Sequence, residues 1–158
     1  MWIAPEIKSP ICLHHPTRKS VGYFGAVNLR TGQLVVQAEK TVFDGQTFAS
    51  FLIKLEAASC ASRQPHQRTI VISDNARYHH AKLHLPWREA HTETFRLDYL
   101  PPYSPDLNPI ERVWKLTRRL CLHHHDFAHL DEVTNIVEHQ FDLWSQPNEA
   151  LKRLCSLI

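Results

Sequence analysis

The sequence predicts an α/β fold, a mixed sheet flanked by helices. Three features predict it. Residues 20–39 read as two short β-prone runs around a turn. Residues 69–73 (TIVIS) are a continuous apolar, β-branched run. Between and after these strands, apolar residues recur at helical spacing over 46–60, from 109 onward, and over 129–144.

Residues 1–19 carry Pro5, Pro10 and Pro16 and read as irregular. Residues 20–29 (SVGYFGAVNL) and 33–40 (QLVVQAEK) read as strands, with Arg30-Thr31-Gly32 as the hairpin turn between them. Asp44-Gly45 marks a loop in which Asp44 caps the next helix. That helix covers 46–60, with Phe48, Phe51, Leu52 and Leu55 on one face. The run at 69–73 suits a strand covered on both faces. Residues 77–90 read as helical, kinked or split by Pro86. Residues 94–99 (TFRLDY) form another strand, followed by the proline-rich loop LPPYSPDLNP.

The next helix has clear start signals, with Asn108 as N-cap and Pro109 in the first position. Ile110, Val113, Trp114, Thr117, Leu120 and Cys121 form its inward stripe. A long helix over 129–144 points Leu130, Val133, Val137, Phe141 and Trp144 inward, and Pro147 starts a short terminal helix burying Leu151 and Leu154. The order is ββαβαβαα with a short terminal helix.

The 158 residues suffice for one domain with a core, and a hydrophobic content of 43% argues against disorder. With 18 basic and 16 acidic side chains, net charge alone predicts no class of partner. Cys12, Cys60, Cys121 and Cys155 form no C-x-x-C pair, so they read as reduced, mostly buried thiols rather than a zinc ribbon or a disulfide framework. No stretch approaches the roughly 20 apolar residues of a membrane span.

Asp74 follows the 69–73 strand directly, at the carboxyl end where α/β sheets gather functional residues. Asn75 starts a turn that holds this carboxylate at the sheet edge. Glu111 falls in the first turn of the helix after the proline loop. Two carboxylates from separate elements can converge on a divalent ion such as Mg²⁺. Each also has a structural reading. An Asp after a strand often serves a turn, and Glu111, three residues after Asn108, fits a capping box.

The words VISDNARYHHAKLH and LDYLPPYSPDLNPIERVWKLTRRL are more specific. The strand ending in Asp74-Asn75, the following His79, the loop Leu100 through Glu111 and the helix residue Trp114 resemble the DDE superfamily of transposase endonucleases. The likeness is to mariner-like bacterial insertion-sequence enzymes in particular. It covers about 20–145, including the GYFGAVNLRTGQLV hairpin, and a gap of 36 residues (75–110) separates Asp74 from Glu111.

The resemblance implies a ribonuclease H-like fold. It places Asp74 and Glu111 on the second and third acids of a catalytic triad and makes them ligands of Mg²⁺ or Mn²⁺. It implies hydrolysis at transposon ends, then attack of a 3′-hydroxyl on target DNA. The family's first Asp precedes the hairpin, and none of Glu6, Glu39, Asp44 or Glu56 fits that position. The expectation is therefore a single partial catalytic domain over 1–158, lacking its first strand and inactive alone. DNA ends and target DNA are the expected partners, with a homodimer or a full-length transposase beside them. The expected location is cytoplasmic and nucleoid-associated, away from membranes. Two alternatives stand: a non-catalytic DNA-binding or assembly fragment, and an unrelated α/β domain whose carboxylates only cap helices.

Arg112, Lys115, Arg118 and Arg119 lie on or beside the outer face of the Glu111 helix, suiting DNA phosphates or an ordinary solvated face. Arg77 and Lys82 are weaker candidates. His79 is expected near the metal site. The run His123-His124-His125 reads as a helix terminus, because adjacent helical residues point in different directions.

Overall fold

A computed structural model of the chain describes residues 20–60, 63–123 and 127–156. The expected irregular segment at 1–19 lies outside these residues, as do Glu6, Cys12, His124 and His125.

Gly22–Val27 (β1) and Leu34–Glu39 (β2) pair antiparallel, with Gly22 opposite Glu39 and Val27 opposite Leu34. The turn between them is built by Asn28, whose Oδ1 accepts from the Arg30 and Thr31 amides at 2.9 and 3.3 Å. Gly32 closes the turn with φ +72°, where a side chain would be strained and would collide with the Asn148 carbonyl. That contact brings the turn against the start of the last helix, where Asn148 N–H donates to Thr31 O at 2.8 Å.

Gly45–Cys60 forms α1. Asp44 caps it as expected, its Oδ1 accepting from the Gln46 and Thr47 amides at 2.9 Å each. Thr69–Ser73 (β3) and Phe95–Tyr99 (β4) pair in parallel, Thr69 opposite Phe95. Both strand orientations of a mixed sheet are present, as two separate two-stranded sheets among the described residues.

The segment 77–90 is not one kinked helix. It runs as two 3₁₀ turns, Arg77–His80 and Lys82–His84, then α2 at Leu85–Ala90. The break is at Ala81, which is extended at φ −61°, ψ 136°. Pro86 sits in the first turn of α2, where its missing N–H has no helical acceptor to lose. It therefore starts the helix rather than breaking one.

Pro109–Thr117 forms α3 and continues into a π turn at Arg118–Leu122. That wider turn shifts the inward stripe. Val113, Thr117 and Cys121 are buried as expected, but Leu120 is 49% exposed. Leu130–Trp144 (α4) buries Val137, Phe141 and Trp144, and Glu149–Cys155 (α5) buries Leu151 and Cys155. Of the described cysteines, Cys121 and Cys155 are buried and Cys60 is exposed; all three are free. No described helix is long and apolar enough to cross a membrane.

The hairpin divides two cores. On one face Phe24 joins Phe48, Phe51, Leu52 and Leu55 of α1 with Phe95 and Leu97 of β4. On the other, Leu34 joins Val113, Cys121, Val137, Phe141, Trp144 and Leu151. The alternation follows from the pleat: successive strand residues point to opposite faces. The expectation of β3 covered on both faces is corrected here. Val71 packs on the α1 core, while Ile70 and Ile72 are 56% and 51% exposed, because the C-terminal helices pack on the hairpin instead.

Two positions generate predictions. A Cβ on Gly25 would stand 2.6 Å from Trp114 Cζ2, nearer still to Cη2, and 3.4 Å from Ile110 Cδ1. Gly25→Val is expected to cost about 1–3 kcal/mol by overpacking in urea unfolding, and Trp114→Leu in the same chain to recover part of it. A double-mutant cycle reads that coupling.

His84 is 1% exposed, its Nδ1 has no hydrogen-bond partner, and its Nε2 lies 3.3 Å from Tyr78 O. Burial pushes its pKa below the usual 6.5; the hydrogen bond to Tyr78 O opposes the shift, and the nearby Arg88, His79 and His80 add to it. The unfolded chain therefore binds the proton more readily. Stability attributable to His84 is complete above about pH 6.5 and is lost as pH falls toward the depressed folded value. Denaturation midpoints between pH 7 and 5 should fall, and His84→Phe should flatten that slope.

Candidate active site

Asp74 sits one residue beyond β3, and its carboxylate is held by its own turn. Oδ1 accepts from Ala76 N–H at 3.0 Å, and the side chain remains 56% exposed. The structural reading of this residue as a turn former is thus realised, without hiding the carboxylate.

Behind it lies His79, 6% exposed. Its Nδ1 is 2.8 Å from Asp74 Oδ1 and 2.9 Å from both Asp74 O and Ser73 Oγ. A tautomer carrying its proton on Nδ1 donates into this cluster of oxygens. Burial lowers the His79 pKa, and the hydrogen bond and charge of Asp74 oppose the shift. Phe48 and Tyr78 rings contact the imidazole at centroid distances of 4.3 and 4.4 Å. The 3₁₀ turn carrying His79 is anchored in turn by Tyr99, whose hydroxyl donates to His79 O at 2.8 Å.

Asn75 ties the strand end to the proline loop. Its Nδ2 donates to Leu100 O at 2.6 Å, and its Oδ1 lies 3.2 Å from His80 Nε2. Leu100 N–H donates to Ser73 O at 2.8 Å, so the loop leaves β4 pinned to the end of β3. Pro101, Pro102, Pro105 and Pro109 then restrict φ along the path to α3.

At the far end Asn108 occupies the N-cap position of α3, with extended φ −90°, ψ 106°, but its side chain makes no cap bond. Only the backbone bond from Glu111 N–H to Asn108 O, 3.1 Å, is present. The capping-box reading of Glu111 is therefore not realised: among the described residues its carboxylate accepts no hydrogen bond. Instead Glu111 and Asp74 line one open cleft of about 160 Å³ with Asn75, Asn108 and the loop residues Leu100, Pro101, Tyr103, Ser104 and Pro105.

Two exposed-to-half-buried carboxylates, unpaired with any Lys or Arg among the described residues, suit a hard divalent cation, which takes one or two carboxylates and completes its shell with water or phosphate oxygens. No group of three or more His, Cys, Asp or Glu converges among the described residues. Among the described residues, Asp74 and Glu111 are the two carboxylates that could hold Mg²⁺ or Mn²⁺ in this cleft.

The basic candidates separate. Arg112 Nη1 donates to Leu154 O at 3.0 Å and Ser156 O at 3.1 Å, satisfying carbonyls at the end of α5. Lys115, Arg118 and Arg119 are exposed and form no ion pair among the described residues. Arg77 and Lys82 are exposed in the 3₁₀ turns after Asp74. His123 ends the π turn and is exposed. Sequence reasoning missed the anchoring roles of Ser73 and Tyr99 and the loop residue Tyr103, which has φ +58° and lines the cleft.

His79→Ala should remove the buried contacts to Ser73 and Asp74 and cost about 1–3 kcal/mol. Asn75→Ala, at an exposed site, should cost less than about 1 kcal/mol. Urea unfolding of the two variants checks the order.

The chain matches the family model described as DDE superfamily endonuclease over residues 8–134. No curated protein matches it. Among solved structures, the Mos1 strand transfer complex aligns with a TM-score of 0.69 at 20% identity, covering 98% of this chain and 44% of that one. The Mos1 mariner paired end complex with Mn aligns with a TM-score of 0.69 at 21% identity, covering 98% and 46%. The chain spans less than half the length of these solved chains. That likeness gives the fold, a transposase catalytic-domain architecture of small sheets flanked by helices. The family match runs through both carboxylates and the loop between them, and the chain belongs to the DDE superfamily of endonucleases.

Proposed function

We propose that this chain carries a catalytic domain of a transposase that cuts DNA at element ends and joins the strand to a target. The observation that carries the reading is the meeting of Asp74 and Glu111 in one cleft, joined by a proline loop, in a chain of this family. The solved Mos1 chains are described in strand-transfer and paired-end complexes, one with Mn, which is consistent with DNA and a divalent ion here.

In this reading Asp74 and Glu111 hold Mg²⁺ or Mn²⁺. When bound, such an ion lowers the pKa of its water and offsets charge developing on the phosphate. The remaining work belongs to the chain itself. His79 and the Asp74 turn orient one carboxylate, and the Asn75–Leu100 bond and the prolines fix the start of the helix bearing the other. Such preorganisation is what lets an electrostatic site act without rearranging during the reaction. Lys115, Arg118, Arg119 and Arg77 contact phosphates. Arg112 supports α5.

A second reading, DNA binding or assembly without cleavage, is favoured by one observation: the described residues bring two carboxylates to the cleft rather than a triad. Purified chain with supercoiled DNA and Mn²⁺ separates the two. The enzyme reading expects nicking that Asp74→Asn and Glu111→Gln each abolish. Binding without nicking selects the second reading.

Mn²⁺ at 100 times its dissociation constant should add about 2.7 kcal/mol to stability, and Asp74→Asn should remove that gain. For DNA binding, replacing Lys115, Arg118 and Arg119 by Ala should lower the slope of log affinity against log salt by roughly 0.9 per contact. Arg112→Ala should leave that slope unchanged while lowering the melting temperature.

A further inference from the structure

Tyr103 is unlike the other tyrosines. Tyr23 packs edge-on against Phe141, Tyr78 sits among Phe24 and Phe48, and Tyr99 stacks under His80 while its hydroxyl donates to His79 O. Tyr103 is 102% exposed, with neither ring contact nor hydrogen bond among the described residues. An aromatic ring in water forgoes the burial that usually accounts for its presence.

Its backbone adds a second oddity. At φ +58° it is in the left-handed region that glycine adopts without strain, and only His66 shares this among described non-glycine residues. Pro102 and Pro105 flank the position, and Ser104 Oγ donates to Pro102 O at 3.2 Å. The loop therefore holds a bulky ring where the backbone favours glycine. It holds that ring at the lip of the cleft that Asp74, Asn75 and Glu111 line. Strain of this kind collects at functional sites, and an observed outlier is the sound starting point for a functional inference.

We infer that Tyr103 is the base-stacking residue of this cleft: its ring receives an unstacked nucleobase beside the phosphate held between Asp74 and Glu111. The inference rests on the reading of the cleft as a DNA-strand site. A base inside a duplex is already stacked on both faces, so the occupant is an unpaired or displaced nucleotide. Every base presents a π-face, so such contact tolerates any sequence. The prolines and the Ser104–Pro102 bond restrict the backbone that carries the ring before the strand arrives, which limits the ordering cost of binding. Tyr103 is thus a substrate-contacting residue for strand placement, separate from the two carboxylates.

The test uses the full chain, Mn²⁺, low salt and two DNA probes. One duplex carries an unpaired 2-aminopurine and the other has it fully paired. Wild type is expected to quench the unpaired fluorophore and to bind that probe about tenfold more tightly than Tyr103→Ala does. Tyr103→Phe and Tyr103→Trp should keep both the quenching and the affinity. Tyr103→Gly should lose them as Ala does, although its backbone is better suited to the position. Melting temperatures of all four variants should match or exceed wild type, since the side chain is fully exposed with neither ring contact nor hydrogen bond among the described residues. If Ala and Gly variants quench and bind as wild type does, the stacking role is overturned while the DNA reading stands. If wild type binds neither probe, the DNA reading fails and this inference with it.

Discussion

The placement of the Trp114 indole on Gly25 is the contact on which the rest of the molecule depends. Any side chain at Gly25 would occupy the space of that ring. Through it, α3 lies directly on the hairpin, with Ile110 alongside and Phe141 edge-on at 5.9 Å. Glu111 is fixed to the hairpin by this contact, since it lies between Ile110 and Trp114 on the same short helix. On the opposite face of the same hairpin, Phe24 stacks on Phe51 at 5.4 Å and meets Tyr78 at 5.8 Å. Tyr78 neighbours His79, and His79 holds Asp74. Each carboxylate is therefore positioned by a different core, and the hairpin is the wall the two cores share. A two-stranded sheet is marginal alone, so this wall is only as firm as the helices on its faces.

The parts of this arrangement legible in the sequence are those with a local cause. Asp44 as a cap, Thr69–Ser73 as a strand, the turn at Arg30-Thr31-Gly32 and the Pro109 helix start each follow from short-range rules of backbone sterics and periodicity. Asp74 and Glu111 were legible as candidates because strand ends and first helical turns expose carboxylates. Their convergence came from resemblance rather than pattern. What escaped was long-range. Arg112 reads as a surface cation, and only the fold reveals that carbonyls 42 and 44 residues away take its guanidinium. Gly25 reads as an ordinary strand glycine until α3 lands on it. Pro86 reads as a breaker because the sequence does not disclose that the chain has already turned at Ala81. The π turn after Thr117 changes which later residue faces in, leaving Leu120 exposed while Cys121 stays buried.

The electrostatic character of the cleft also follows from which partners are absent. Surface acids often sit beside lysine or arginine, and in this chain Glu56 does so with Arg63 at 2.9 Å, as does Asp98 with Arg96 at 2.7 Å. Asp74 is held by a backbone amide and a buried imidazole whose pKa burial depresses, so its negative charge is oriented without being cancelled. The Glu111 carboxylate has no hydrogen-bond partner among the described residues although its helix offers a capping role. Two uncancelled carboxylates facing one opening repel each other. The exposure of Asp74 lets water moderate that repulsion. Lys115, Arg118 and Arg119 are not among the residues that line this opening, and none of them is paired with either carboxylate among the described residues.

The proline loop then has a geometric task. It leaves β4, which belongs to the α1 core, and enters α3, which belongs to the C-terminal core. Its two ends are therefore attached to bodies that could shift relative to each other across a thin hairpin. A flexible linker would let the Asp74–Glu111 separation drift with that motion, and would add entropy to the unfolded chain. Prolines at 101, 102, 105 and 109 fix four φ angles and lower that entropy. The Asn75–Leu100 and Ser73–Leu100 bonds remove the freedom left at the entry, and the Pro105–Leu107 3₁₀ turn removes more before the helix. The loop acts as a strut, so its conformation helps hold the distance between the two carboxylates that the two cores on the shared hairpin position. A rigid strut also makes the left-handed Tyr103 intelligible. With the prolines on either side restricted, the bend that joins the two cores had to fall between them, and it fell on a residue whose ring is carried to the mouth of the cleft.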